Sequence, residues 1–285
     1  MLLMRLLPRE DANRDGRSSH NFRNGLPHWK MGTGGAIVTL PFVVALCPTY
    51  RRPDCLQNSI ACFEAQEYPA HRRYMLILDD SGELAPCSGS SWHLSVRKQR
   101  FHSLPQKYNW MAGLAGYADV LFIWEDDDVF GPQHICSHVD AYAKHHAIGT
   151  AAWCKPRFNW TTHPDTKGNS PNREVSDGRM HSSVSFTKEM FGAVNGWPIT
   201  DGLNFDQQFM SLMGKVSKPL DPAIEPPQYV FRWQDTGHYH GQAYGDAFWA
   251  AAQEITKPQY RDHIEPKFDQ STIRLYRELF GKEVS

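Results

Sequence analysis

The feature that most constrains this chain is a repeated pattern, a continuous apolar and β-prone run that stops abruptly in polar residues. FVVALC (42–47) stops at Pro48-Thr49-Tyr50-Arg51-Arg52-Pro53, YMLIL (74–78) runs into Asp79-Asp80-Ser81-Gly82, and DVLFIW (119–124) delivers Glu125-Asp126-Asp127-Asp128. A run that is apolar at every position, rather than every second one, belongs to a strand covered on both faces. Between the runs the apolar period changes. Leu56, Ile60 and Phe63 fall at i, i+4 and i+7 behind Asp54, which can cap a helix that ends by Tyr68-Pro69. WHLSV (92–96) reads as a short third strand. A helix from about Pro105 should bury Trp110, Met111, Leu114 and Ala115, another should cover about 133–146, and a strand should follow at 147–153. Such alternation makes an α/β domain with a mostly parallel sheet and helices on its faces. Ligands of these sheets bind beyond the carboxyl ends of the strands, so TYR, DDS and EDDD are expected together on one edge.

The second half is less regular. Residues 154–180 form a long polar segment around Trp160, which reads as a loop with a function or without order. SSVSF (182–186) is a predicted strand, followed by a helix that approaches Gly196-Trp197-Pro198. The spacing then predicts a helix over Phe205–Val216 with Phe209, Leu212, Met213 and Val216 inward, a strand at 229–233, and a tail helix at 271–280. That tail would place Ile273, Tyr276, Leu279 and Phe280 on one face. The expected division is a flexible leader at 1–35, a first half at 36–153, and a second half at 154–285 that belongs to the same domain.

Composition narrows the class. Apolar residues make up 41% of the 285 and charged residues 21%, as in an ordinary soluble domain. The net charge of −1 supplies no overall field toward DNA or anionic lipid, although Arg97, Lys98, Arg100 and His102 form a local basic stretch. Six cysteines occur without a C-x-x-C pair, which speaks against a zinc knuckle and for reduced thiols in a cytoplasmic protein. The opening MLLMRLLPRE is too short for a secretory apolar core, and no integral membrane segment of about 20 apolar residues is present.

Four consecutive carboxylates at a strand end repel one another unless a cation compensates them. Hard oxygen ligands suit Mg2+ or Mn2+, and a solvated acidic turn is the plain alternative. His238 and His240, one residue apart, face one side of an extended chain, where neutral imidazole suits Mn2+ or Zn2+. Asp206 opens a helix, where a carboxylate can take an acceptor proton or simply complement the macrodipole. Trp153, Trp160, Trp197 and Trp233 offer rings for stacking on a sugar or base, or for the core.

In order, TYRRP, LDDSG, K-Y-N-W-M-A-G-L and WEDDDVFGP resemble the family-2 glycosyltransferases of the GT-A fold, well over 42–132 and loosely to about 216. The resemblance implies that Pro48, Thr49 and Tyr50 hold the nucleotide base, that Asp80 reads it while Asp79 is structural, and that Arg51 and Lys107 serve the phosphates. It implies Asp127 as principal metal ligand, Asp128 in support, Asp126 near the ribose, and a late histidine, His240, as a further ligand. Glu125 stands where the family more often has aspartate. Gly196-Trp197 and Phe205-Asp206-Gln207-Gln208 resemble the acceptor-side segment, which makes Asp206 the general base of an inverting enzyme. The expected activity is metal-dependent transfer from a UDP- or GDP-sugar to a hydroxyl acceptor on a glycan, a protein or a modified nucleic-acid base. A nucleotidyltransferase and a non-catalytic nucleotide-sugar-binding module are the alternatives; the first usually needs a Gly-rich loop that TYRRP lacks.

Overall fold

The computed structural model describes residues 40–162, 171–176, 180–199, 204–232 and 260–285. The expected leader lies outside these residues. β1 (Val43–Thr49) is buried at every position, because both of its faces are covered. Val43, Ala45 and Cys47 pack with Leu56, Ile60 and Phe63 of α1 (Pro53–Glu64), with Ile135 and Val139 of a helix over His134–Lys144, and with Tyr276 near the carboxyl terminus. Val44 and Leu46 point the other way, toward Tyr108 and Met111 of α2 (Leu104–Leu114). That second layer is completed by α4 (Lys188–Val194) and α5 (Phe205–Val216), while α3 (His134–Lys144) and α6 (Gln270–Phe280) belong to the first. Each fully buried side chain of this kind contributes roughly 1.5–3 kcal/mol, so a one-residue slip of β1 would exchange two cores at once.

Around β1 lie β2 (Arg73–Asp79), β3 (Cys87–Ser88), β4 (Trp92–Val96), β5 (Val120–Ile123), β7 (Trp153–Cys154) and β10 (Ser185–Thr187). Their order across the seven-stranded sheet is β3-β4-β2-β1-β5-β10-β7. β4, β2, β1 and β5 run parallel, whereas β3 and β10 run against their neighbours. The register sets Thr49 beside Asp79 and Asp79 beside Val96, so the polar strand ends line up. A four-stranded sheet holds β6 (Val129–Phe130), β11 (Tyr229–Phe231), β8 (Phe158–Thr161) and β9 (Asn172–Val175), in that order. β6 leaves the acidic run directly, which ties the second sheet to the carboxyl edge of the first. No described helix is long and apolar enough to cross a membrane, and the six cysteines are free thiols.

Several expectations need correction. Asp54 does not cap α1: Arg52 is the N-cap residue and Pro53 opens the helix, so one amide that would need an acceptor is missing. Asp54 instead pairs with Arg261 at 2.7 Å. In α2, Trp110 and Leu114 are 38% and 40% exposed, and the buried face is Lys107, Tyr108, Met111 and Ala112. Tyr108 sets that face by stacking on Trp197 with centroids 4.8 Å apart. Residues 147–152 turn rather than extend, with Gly149 at φ +81°, and the strand is confined to Trp153–Cys154. His181–Ser183 is a 3-10 turn ahead of β10. The segment expected as a loop contains the antiparallel pair β8–β9. Its strand pattern is inverted, since polar Asn159 and Thr161 face inward, and an apolar-periodicity scan cannot see it. The buried face of α5 is Phe209, Met210 and Met213, while Val216 is exposed in the last turn. In α6 the buried face is Thr272, Leu275 and Tyr276, with Leu279 and Phe280 partly buried on the same core, so Tyr276 is placed as expected and Thr272 and Leu275 take the place given to Ile273.

Candidate active site

Three adjacent parallel strands end side by side, and a chain of polar contacts crosses them. Asp79 is turned back on its own loop, accepting from the amide and hydroxyl of Ser81 at 3.0 and 2.9 Å. Asp80 faces the opposite way and accepts from the Lys107 ammonium at 2.5 Å and from the Phe101 amide at 2.9 Å. Lys107 also donates to the carbonyl of Thr49 at 2.7 Å. Burial pulls its ammonium down, and Asp80 opposes that pull. The Thr49 hydroxyl in turn donates to Asp126 at 2.6 Å. Lys107 is thus a buried strut between the first two loops, not an exposed first-turn lysine.

The acidic run is held from both sides. Arg52 places one nitrogen 2.6 Å from Asp126 and another 2.7 Å from Asp127. Asp128 accepts from the Tyr229 hydroxyl at 2.6 Å and from the Arg232 amide at 3.1 Å, both supplied by β11 and the residue after it. The Arg232 side chain donates to the Asp127 carbonyl at 2.7 Å and to Asp269 at 2.8 Å. Burial pushes the Asp126 carboxyl up to about 6, with Arg52 opposing and Asp127 adding to the rise. Asp128 is raised well above the carboxylate range by burial, then by the charges of Asp127 and Glu125.

Oxygens of Glu125, Asp127 and Asp128 lie within 4.8 Å of one another. Burial and this crowding both hold the Asp128 carboxyl up, and a bound cation would relieve them. An all-oxygen set of this span fits a hard divalent ion, whose ligands stand about 2.0–2.6 Å away. Glu125 therefore joins the expected pair Asp127 and Asp128 as a candidate ligand. His240, with His238, lies outside the described residues, as does Trp233.

A second group of side chains approaches from the segment before β10 and from α5. His181 accepts from the Trp197 indole at 3.2 Å through Nε2, which turns Nδ1 toward Glu125, 3.6 Å away. Asp206 sits in the first turn of α5, its carboxyl raised by burial, drawn back by His181 and pushed up further by Glu125. Asp206 therefore lies within charge range of both His181 and Glu125. Gly196 supports this corner at φ +73°, and a Cβ there would meet the Asn109 side chain at 2.4 Å. Trp197 and Trp153 are core residues, and Trp160 donates to the Pro227 carbonyl at 3.0 Å.

Around the first loop, Arg51 takes φ +56° and reaches Glu83 at 2.5 Å. The Tyr50 ring lies 4.2 Å under the Arg100 guanidinium, and Arg97 covers Phe101 at 4.5 Å. The basic stretch therefore borders the same edge. Pro48 and Thr49 belong to β1 itself, while Tyr50 begins the loop. Arg52, His181, Tyr229 and Arg232 do not stand out as site residues in the sequence, and Glu125 does so only as part of the acidic run, without a ligand role. A signal existed for both arginines: Arg232 directly follows a buried apolar run, and Arg52 stands three residues beyond one.

No protein-family model and no curated protein sequence matches the chain. Solved structures do. TarS 1–349 of S. aureus in complex with UDP-GlcNAc superposes with a TM-score of 0.52 at 14% identity, covering 85% of this chain and 73% of that one. The mannosyltransferase PcManGT from Pyrobaculum calidifontis, in complex with GDP-Man and Mn2+, gives 0.51 at 14% identity over 78% and 67%. TarS 1–349 in complex with UDP gives 0.51 at 10% identity over 68% of this chain, which spans 61% of that one. The fold is accordingly GT-A, with a largely parallel central sheet and a smaller second sheet, as the motif order implied.

Proposed function

We propose that the chain is a metal-dependent glycosyltransferase that moves a sugar from a UDP- or GDP-sugar to a hydroxyl acceptor, with inversion. One observation carries this reading: on a GT-A sheet edge, Asp80, Asp126 and the oxygen cluster of Glu125, Asp127 and Asp128 converge on one side. A cytoplasmic location remains part of the proposal, as do the acceptor classes named above.

In this reading Pro48, Thr49 and Tyr50 border the base and Asp80 accepts from it, with Lys107 holding Asp80 in place. Asp126 faces the ribose, and Arg51 with Arg52 flanks the diphosphate. Asp127 and Asp128, with Glu125, would hold Mn2+ or Mg2+, which supplies positive charge against the departing diphosphate. Asp206 takes the proton of the acceptor hydroxyl as its oxygen bonds to the anomeric carbon and the bond to the diphosphate breaks. Its raised pKa suits that task, because a stronger base accepts the proton more readily. The PcManGT complex contains Mn2+ with its GDP-Man, which supports the metal part of the proposal.

The test is calorimetry with UDP, GDP and their sugars in Mn2+ and in chelator, on the wild type and Asp127→Ala. Tight binding is expected only with metal, and Asp127→Ala should lose the metal-dependent part. Equal affinity with and without metal would sink the assignment.

A further inference from the structure

Arg52 does something the donor reading does not require. It bridges two neighbouring carboxylates with two different nitrogens, at 2.6 Å to Asp126 and 2.7 Å to Asp127, and its side chain is only 12% exposed. The backbone fixes this aim. Arg51 at φ +56° reverses the chain, and Arg52 then starts α1, its carbonyl accepting from the Leu56 amide at 3.0 Å. The guanidinium is thereby held at the end of β5, where a planar fork can span two carboxylates as a single ammonium cannot. Of the neighbouring cations, Arg51 meets Glu83 and Lys107 meets Asp80, while the Arg232 side chain meets Asp269 and donates to the backbone carbonyl of Asp127.

Asp127 therefore belongs to two arrangements. It is one corner of the Glu125, Asp127 and Asp128 cluster, and it is half of the Arg52 clamp. A divalent ion on Asp127 would stand beside the guanidinium, and like charges in a buried place oppose each other strongly. A nucleoside diphosphate changes the balance, because its phosphates offer Arg52 new anionic partners.

We propose that Arg52 is a built-in counterion that competes with the divalent cation for Asp127 and passes to the diphosphate when nucleotide binds. This rests on the donor reading above. Metal and nucleotide then bind with positive coupling, part of it carried by one side chain. The protein binds metal alone weakly, because the carboxylates already have a cation. Linkage requires the effect to be mutual, so metal strengthens nucleotide binding by the same factor.

The experiment titrates Mn2+ into the full-length wild type, Arg52→Gln and Arg52→Lys by calorimetry, without nucleotide and then with saturating UDP or GDP in separate arms. Melting curves in chelator report whether each variant is folded. Arg52→Gln should bind Mn2+ alone at least about tenfold more tightly than the wild type, through loss of a competing charge. The factor by which nucleotide improves Mn2+ binding should shrink by at least about tenfold. Arg52→Lys, reaching one carboxylate instead of two, should lie between. Unchanged or weaker Mn2+ binding in folded Arg52→Gln overturns the proposal. If that variant does not fold, wild-type Mn2+ affinity in Arg52→Lys overturns it equally. A wild type that binds no Mn2+ even with UDP or GDP overturns the donor reading itself. Mn2+ binding that nucleotide enhances, with no gain in Arg52→Gln, overturns only the role of Arg52.

Discussion

Asp206 and Asp127 are both carboxylates on the same edge, yet their surroundings assign them different work. Asp127 is 2% exposed, clamped by Arg52 and crowded by Glu125 and Asp128. Asp206 lies in the first turn of α5, within charge range of His181 and Glu125, and burial raises its carboxyl. A base acts on the acceptor proton in the transition state and not on the bound donor. Asp206→Asn keeps size and polarity but removes the basic lone pair, so donor affinity should persist while turnover falls by at least roughly 10²-fold. Asp127→Ala should weaken donor binding and turnover together. Paired measurements of nucleotide-sugar affinity and diphosphate release read both effects. Near-normal release from Asp206→Asn with a competent acceptor would leave Asp206 as a helix-start carboxylate only.

α3 carries a different consequence. His134 and His138 stand one turn apart with ring centroids 4.7 Å from each other, both buried against the sheet. Neither ring nitrogen of His134 has a hydrogen-bond partner among the described residues, and the rings of Phe130, Phe122 and Trp124 lie 5.2–5.9 Å away. Burial drives its pKa from 6.5 down to about 3. A group whose folded pKa is lowered stabilises the fold fully above its unfolded pKa. That stability is lost as pH falls, because the unfolded chain takes the proton first. The window here opens near 6.5 and closes near 3. Between pH 6.5 and about 4.5 the loss from this one ring is roughly 2 kcal/mol. His134→Phe keeps the ring and removes the titration, so its melting temperature should fall less over that interval than the wild type's. His138, lowered well below its usual value by burial and then by His134, should leave a residual slope. An identical slope in both proteins would assign the acid sensitivity elsewhere.

At the scale of the molecule, Arg232 joins three parts that lie far apart in sequence. Its backbone amide holds Asp128, its Nε holds the Asp127 carbonyl, and its Nη1 reaches Asp269, the residue that caps α6. Burial pushes the Asp269 carboxyl up, and the guanidinium more than reverses this, to about 2. The C-terminal helix also meets the acidic strand end through the Tyr276 hydroxyl, which donates to the Phe130 carbonyl at 2.5 Å. The second sheet and α6 thus hold the acidic run in shape from behind. Arg232→Met fills similar space without the charge. It should lower stability by about 1–3 kcal/mol, because the buried Asp127 carbonyl loses a charge-assisted donor while Asp269, 42% exposed, can turn to water. It should also weaken Mn2+-dependent nucleotide binding, although Arg232 is placed on no ligand. Chemical denaturation and calorimetry on one preparation check both; lost stability with unchanged nucleotide affinity would make the strut purely structural.

What could be read from the sequence is what local chemistry decides. The apolar runs within 42–47, 74–78 and 119–124 require strands covered on both faces, found at Val43–Thr49, Arg73–Asp79 and Val120–Ile123, and the polar residues that end them had to collect on one edge. Helix positions followed from apolar spacing, with α5 found at Phe205–Val216 as expected. Which face of a helix is buried did not follow, because partners from distant segments choose it: Trp197 draws Tyr108 inward and leaves Trp110 outside. Strand β8 stayed hidden because its inward residues are polar, and Asn159 donates through Nδ2 to the Ser176 hydroxyl at 2.6 Å, a partner seventeen residues on. The clamp of Arg52 on Asp126 and Asp127 joins residues some 75 positions apart. No local rule relates them, since a charge-assisted contact depends on distance in space, and only the parallel pairing of β1 with β5 brings those two strand ends together.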